Sequence, residues 1–150
     1  MVILAAVGEK RDQEQVISQA HDLAAAYGDD LQVLHVIPRD EADSHLEELQ
    51  SIDEFSDVSF TVEESRARDV ARTMAETALD RAALTTVEPV GRVGDPANTI
   101  IAEADAVDPR YLVVGGRKRS PTGKALFGSV TQSVILNAEC PVVTVLSEPG

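Results

Sequence analysis

The chain predicts a single α/β domain built on an open parallel sheet covered by helices on both faces. Three observations carry this expectation. Short apolar runs at 2–7, 31–37, 87–92, 111–114 and 142–146 read as strands, most of them without the polar alternation of a half-solvated sheet. Segments with apolar residues at helical spacing separate them. Apolar residues make up 43% of the 150 and aromatic ones 3%, so one ordinary core can form, mainly from Val, Ile, Leu and Ala.

Along the chain, Val2–Val7 is an unbroken apolar run, as a strand buried on both faces requires. Val16, Ile17, Ala20, Leu23, Ala24 and Tyr27 then recur at helical spacing, with Asp12 placed to cap the helix and Gly28 to stop it. Leu31–Ile37 is the second strand, ended by Pro38. Residues 39–58 are polar and acidic and predict a mobile loop with room for a short helix. Thr61 and Glu64 have the spacing of a capping box opening a second helix, whose inward stripe is Ala67, Val70, Ala71, Met74, Ala78 and Ala82. Val87–Arg92 is a weaker strand. Gly94-Asp95-Pro96 supplies a turn, a cap and a first-turn proline before Ile100, Ile101 and Ala104. Tyr111–Val114 is a fourth strand, and Val142–Leu146 a fifth after a helix carrying Val130, Val134, Ile135 and Ala138. The β-α-β alternation calls for parallel strands and right-handed crossovers, with no linker, repeat or second domain.

The net charge of −13, with three lysines against ten arginines, disfavours nucleic acid and anionic membranes as partners. Acidic excess with few lysines and many alanines points to adaptation to a salt-rich cytoplasm. Met1–Val7 lacks a basic flank and is too short for a secretory signal or membrane span. Cys140 is the one cysteine, so no internal disulfide forms, and no Cys/His spacing resembles a zinc site. A reducing, cytoplasmic setting is expected.

The chemistry concentrates after the fourth strand. Four of the thirteen basic residues, Arg117, Lys118, Arg119 and Lys124, lie within eight positions of an otherwise acidic chain. They follow Gly115-Gly116, and Gly128-Ser129 opens the next helix. Glycine permits close backbone approach, and a helix start offers free N–H groups and the positive end of its dipole. Together these describe a phosphate cradle; the alternative is a solvated surface turn. Gly123-Lys124-Ala125 lacks the hydroxyl residue of a P-loop, and Lys118 stands where its first glycine belongs. No Gly-x-Gly-x-x-Gly follows the first strand.

The segment from Gly115 to Gly128, with Ser129 and Val130, resembles the universal stress protein signature Gly-x2-Gly-x9-Gly-Ser/Thr. The ending Gly-Ser-Val-Thr-x-x-Val-Ile-x-x-Ala-x-Cys-Pro-Val-Val is similar to that family too, as are Leu34-His35-Val36 and Gly91-Arg92-Val93-Gly94-Asp95-Pro96. The resemblance implies a five-stranded sheet in the order 3-2-1-4-5, binding of ATP or another adenine nucleotide with or without Mg²⁺, and homodimers in which the strands Val142–Leu146 pair antiparallel. It implies that Ala6, Val7 and Gly8 line the adenine and ribose and that Val36 meets the adenine edge through its backbone. Gly115, Gly116, Arg117, Lys118, Gly128, Ser129 and Val130 then hold the phosphates. Two positions depart from the pattern: Lys118 replaces the second glycine, and Gly8 stands where nucleotide-binding members carry Asp.

Other chemistry is weaker. His21 is expected to face outward, His35 to be a satisfied interior residue and His45 to be solvated. Ser129 lacks a nucleophile elbow and reads as a capping or phosphate-binding hydroxyl. Asp40, Glu41, Asp43, Glu47 and Glu48 match no EF-hand and read as an exposed acidic face. Cys140 reads as a small buried residue. The leading function is a nucleotide-binding stress-response sensor or signalling module. The alternatives are a dimeric interaction module acting through a protein partner and a weak ATP hydrolase.

Overall fold

A computed structural model describes residues 1–8, 13–39, 59–119, 124–126 and 128–147, with 59–61, 117–119, 124–126 and 147 described by their backbone. Six strands are present: β1 (Val2–Val7), β2 (Asp30–Pro38), β3 (Val87–Gly94), β4 (Tyr111–Arg119), β5 (Lys124–Leu126) and β6 (Val142–Ser147). The helices are α1 (Gln13–Tyr27), α2 (Ser59–Ala78), α3 (Pro96–Val107) and α4 (Ser129–Asn137), with a 3₁₀ turn at Ala83–Thr86. Asp12, His45 and the acidic segment 40–58 lie outside the described residues.

The long strands β3-β2-β1-β4-β6 run parallel, which in chain order is the expected 3-2-1-4-5. Registers are continuous: Val2↔Asp30 to Val7↔His35, Leu31↔Val87 to Pro38↔Gly94, and Leu112↔Val142 to Arg117↔Ser147. The side-chain period of two divides β1 between two cores. Ile3, Ala5 and Val7 pack with Val16, Ile17 and Ala20 of α1 and Ala71 and Ala75 of α2. Leu4 and Ala6 face the other way, toward Ala97, Ile100 and Ala104 of α3 and Val134 of α4. Both faces are covered, as unbroken apolar strands demand.

Local signals act as expected at several boundaries. Gly28 takes φ +70°, the left-handed turn that stops α1. The Asn98 N–H donates to Asp95 Oδ2 at 3.1 Å, and Pro96 follows in the first turn of α3. Elsewhere the expectations need correction. α2 is already running at Ser59, so Thr61 lies inside it and the Thr61–Glu64 capping box does not open it. α2 ends at Ala78; Ala82 lies beyond it and is exposed, while Glu63 and Ala75 join the buried stripe of Ala67 and Ala71. Tyr27, Val130 and Ile135 are exposed rather than inward, and His21 is partly buried. Cys140 is half-buried at the margin of the α3/α4 core, where burial pushes its thiol pKa up.

The amino-terminal edge of the sheet is locked by Asp29. Arg110 Nε donates to Asp29 Oδ2 at 2.7 Å and Nη2 to Oδ1 at 3.4 Å, joining the α1–β2 turn to the α3–β4 turn. The Arg110 guanidinium lies 4.2 Å above the Tyr27 ring, whose hydroxyl is 3.3 Å from that of Tyr111. The Arg110 hydrogen bond holds the Asp29 carboxyl below its usual pKa, so this contribution is present at neutral pH and lost on acidification.

Candidate functional site

The site forms at the opposite, carboxyl edge. β1 and β4 are neighbours, but β1 leads into α1 on one face and β4 into α4 on the other. The chain therefore departs in opposite directions from adjacent strand ends and opens a crevice there, the usual ligand position in such sheets.

β4 does not stop at Val114. It runs to Arg119, and Arg117–Arg119 pair antiparallel with Lys124–Leu126 of β5. Arg117 also pairs with Ser147 of β6, so β5 occupies the side of β4 that β1 holds at Ile3↔Tyr111 to Ala5↔Val113. The hairpin thus stands beyond the end of β1. The expectation of a loop from Gly115 onward is corrected: Gly115, Gly116, Arg117 and Lys118 are strand residues, Gly115–Arg117 paired with Val145–Ser147 of β6 and Arg117 and Lys118 with Leu126 and Ala125 of β5. Residues 120–123 and Phe127 lie outside the described residues, as do the side chains of Arg117 and Lys118.

Opposite the hairpin, Gly128 is the N-cap of α4 at φ −62° and ψ 164°, with no side-chain cap. The first helical bond runs from the Gln132 N–H to the Gly128 carbonyl at 3.0 Å, so the Ser129, Val130 and Thr131 amides lack intrahelical acceptors. Ser129 is the first helical residue, so it does not cap α4; its exposed position leaves the hydroxyl reading open to a ligand. Thr131 Oγ1 donates to the Gly115 carbonyl at 3.0 Å and fixes the start of α4 to β4.

The floor comes from β1 and β2. Ala6, Val7 and Val36 are buried at 7%, 6% and 8% exposure, and their side chains serve the cores. Gly8 is exposed, and a Cβ there would meet no atom within 4 Å. Its N–H donates to Gln13 Oε1 at 3.1 Å. His35, buried at 4% exposure, has Nδ1 2.9 Å from the Val7 carbonyl; a carbonyl only accepts, so this nitrogen carries the proton. The imidazole braces the end of β1 from below, as an interior histidine should.

Gly8, Gly115 and Gly128–Val130 therefore share one edge, with Val36 a strand further along. Sequence reasoning missed Gln13, the first residue of α1, and Thr131, which stands directly after Gly128-Ser129-Val130. A separate groove of about 380 Å³ lies along the β3 edge between Glu64, Arg68, Glu88 and Glu103. Its Arg92 is committed to Glu103 at 3.2 Å, and it is remote from the crevice. Among the described residues no cluster of His, Cys, Asp or Glu could hold a metal ion, and no helix is long and apolar enough to cross a membrane.

Comparison with known proteins agrees with this architecture. A universal stress protein from Archaeoglobus fulgidus shares 31% identity and a TM-score of 0.57, with 96% of this chain and 97% of that one covered. A universal stress protein from Archaeoglobus fulgidus in complex with dAMP has a TM-score of 0.52 at 23% identity over 96% of both chains. A universal stress protein in complex with cAMP has a TM-score of 0.57 at 21% identity over 97% of this chain and 96% of that one. Curated relatives match in part. A universal stress protein A-like protein of Arabidopsis thaliana is 39% identical over 54 residues, 36% of this chain and 31% of its own length. A universal stress protein of Mycolicibacterium smegmatis is 40% identical over 58 residues, 39% of this chain and 43% of its own. The chain thus spans less than half of each. Residues 1–145 match the Universal stress protein family as a whole, and the chain belongs to that family.

Proposed function

We propose that this chain is an adenine-nucleotide-binding sensor or signalling module of the stress response, acting in the cytoplasm as a homodimer. The observation that carries the reading is the crevice between β1 and β4, faced by the uncapped start of α4. Three amides without helical acceptors and the positive end of the helix dipole suit a phosphate. Basic residues at 117–119 and 124 raise the local potential in an acidic chain. Similar proteins of known structure in complex with cAMP and dAMP support an adenine ligand class.

In this reading the backbones of Ala6, Val7, Gly8 and Val36 contact base and ribose, and Gly115, Gly116, Arg117, Lys118, Gly128, Ser129 and Val130 contact phosphates. Mg²⁺ would enter with the phosphates of ATP.

Calorimetric titration with ATP, AMP and cyclic AMP, in low and high salt, tests the proposal. Saturable heat with a one-to-one stoichiometry per chain is expected from at least one of them, and affinity should fall as salt screens the phosphate contacts. Silence from all three at both salts removes the reading.

A further inference from the structure

The geometry points to Gln13 as the residue that sets the ligand class of the crevice. We propose that its side-chain amide selects a phosphate oxyanion over a hydroxyl donor beside Gly115. The inference rests on the nucleotide-binding reading above and deepens it.

The Gly8 N–H donates to the Gln13 side chain at 3.1 Å, and only the carbonyl oxygen of an amide can accept, so the assignment of Oε1 is fixed. The other end of the amide is then fixed as well. Nε2 lies 3.4 Å from the position a Cβ on Gly115 would take, whereas Oε1 lies 3.8 Å from it. The atom nearer β4 is thus the amide nitrogen, whose –NH2 donates and does not accept. None of the described residues takes its hydrogens. Gly115 has no side chain to block this donor, and Gly8 has none to place an acceptor beside it. The same edge carries the Ser129, Val130 and Thr131 amides, which are donors too. These described donors match a group rich in acceptors, and a phosphomonoester supplies three oxygens where a sugar hydroxyl brings a proton of its own.

The experiment compares AMP, adenosine and inorganic phosphate by calorimetry at fixed pH and ionic strength, using wild type, Gln13→Glu and Gln13→Met. Gln13→Glu keeps the shape and the acceptor for the Gly8 N–H but turns a carboxylate oxygen toward Gly115. Gln13→Met keeps the length of the side chain and removes the donor beside Gly115. Melting temperatures verify that each variant folds, and either variant suffices if the other does not. Wild type should prefer AMP to adenosine, and inorganic phosphate should compete with AMP. Each variant should cut the AMP-to-adenosine preference by about tenfold or more, the size of one charged hydrogen bond lost, while adenosine affinity stays within about threefold. A preference unchanged in a folded variant overturns the role of Gln13 and leaves the nucleotide reading standing. Wild type that binds none of the three compounds overturns both.

Discussion

At the scale of single residues, what a glycine does depends on what surrounds it. Gly91 in β3 lies directly beneath α2: a Cβ there would collide with the backbone of Arg68 and Glu64. Backbone atoms cannot rotate aside as a side chain tip can, so the helix would have to lift. Gly91→Ala should therefore destabilise the fold by at least about 2 kcal/mol through overpacking, read as a lowered urea midpoint. A midpoint equal to wild type would show that α2 yields freely. Gly8 is the opposite case, with nothing within 4 Å of its missing Cβ, and there a side chain changes chemistry rather than packing. Both are plain glycines in the sequence. Only Gly91 lies within a motif, Gly91-Arg92-Val93-Gly94-Asp95-Pro96, and the motif does not say which atoms press on it.

At the scale of elements, boundaries fall where local chemistry is strong. Asp95 is extended at φ −66° and ψ 120° and accepts from the Asn98 N–H, with Pro96 behind it. Asp95→Ala should cost about 1 kcal/mol, and Asp95→Asn or Asp95→Ser should recover most of it, measured by thermal unfolding. Equal losses for all three substitutions would mean that the side-chain cap is not what holds α3. This junction, the stop at Gly28 and the apolar strands were legible because each rests on near neighbours in sequence. β4 was not. Gly115-Gly116-Arg117-Lys118-Arg119 has poor strand propensity, and it extends because β5 on one side and Ser147 of β6 on the other take up its backbone. α4 misled for a related reason. In a nine-residue helix only Val134 is fully buried, so helical spacing alone wrongly turned Val130 and Ile135 inward. The uncapped start of α4 at Gly128-Ser129 was legible, whereas the place of Gln13 beside Gly115 was not, since folding brings that strand end next to it.

At the scale of the whole molecule, the sheet ends in β3 and β6, and the two edges are unlike. β3 carries Pro89 and the charged residues Glu88 and Arg92, which discourage pairing with another strand. β6 is Val-Val-Thr-Val-Leu-Ser, bonded to β4 on one side and without a second strand among the described residues. Residues 142–146 are only half-buried there, so an apolar strand meets solvent along its outer edge. Antiparallel pairing of two such strands about a twofold axis would cover both at once. Opposing this is a net charge of −13 per chain, whose repulsion between copies salt screens within about 10 Å at 0.1 M ionic strength. Light scattering at micromolar concentration should therefore give twice the 16.0 kDa chain mass in high salt, and the dimer should weaken as salt is withdrawn. Ordinary ion-pair interfaces respond in the reverse sense, so the direction of the salt effect separates an apolar strand pairing under charge repulsion from a polar contact. Monomer at every salt concentration would leave the outer edge of β6 without a second copy to cover it.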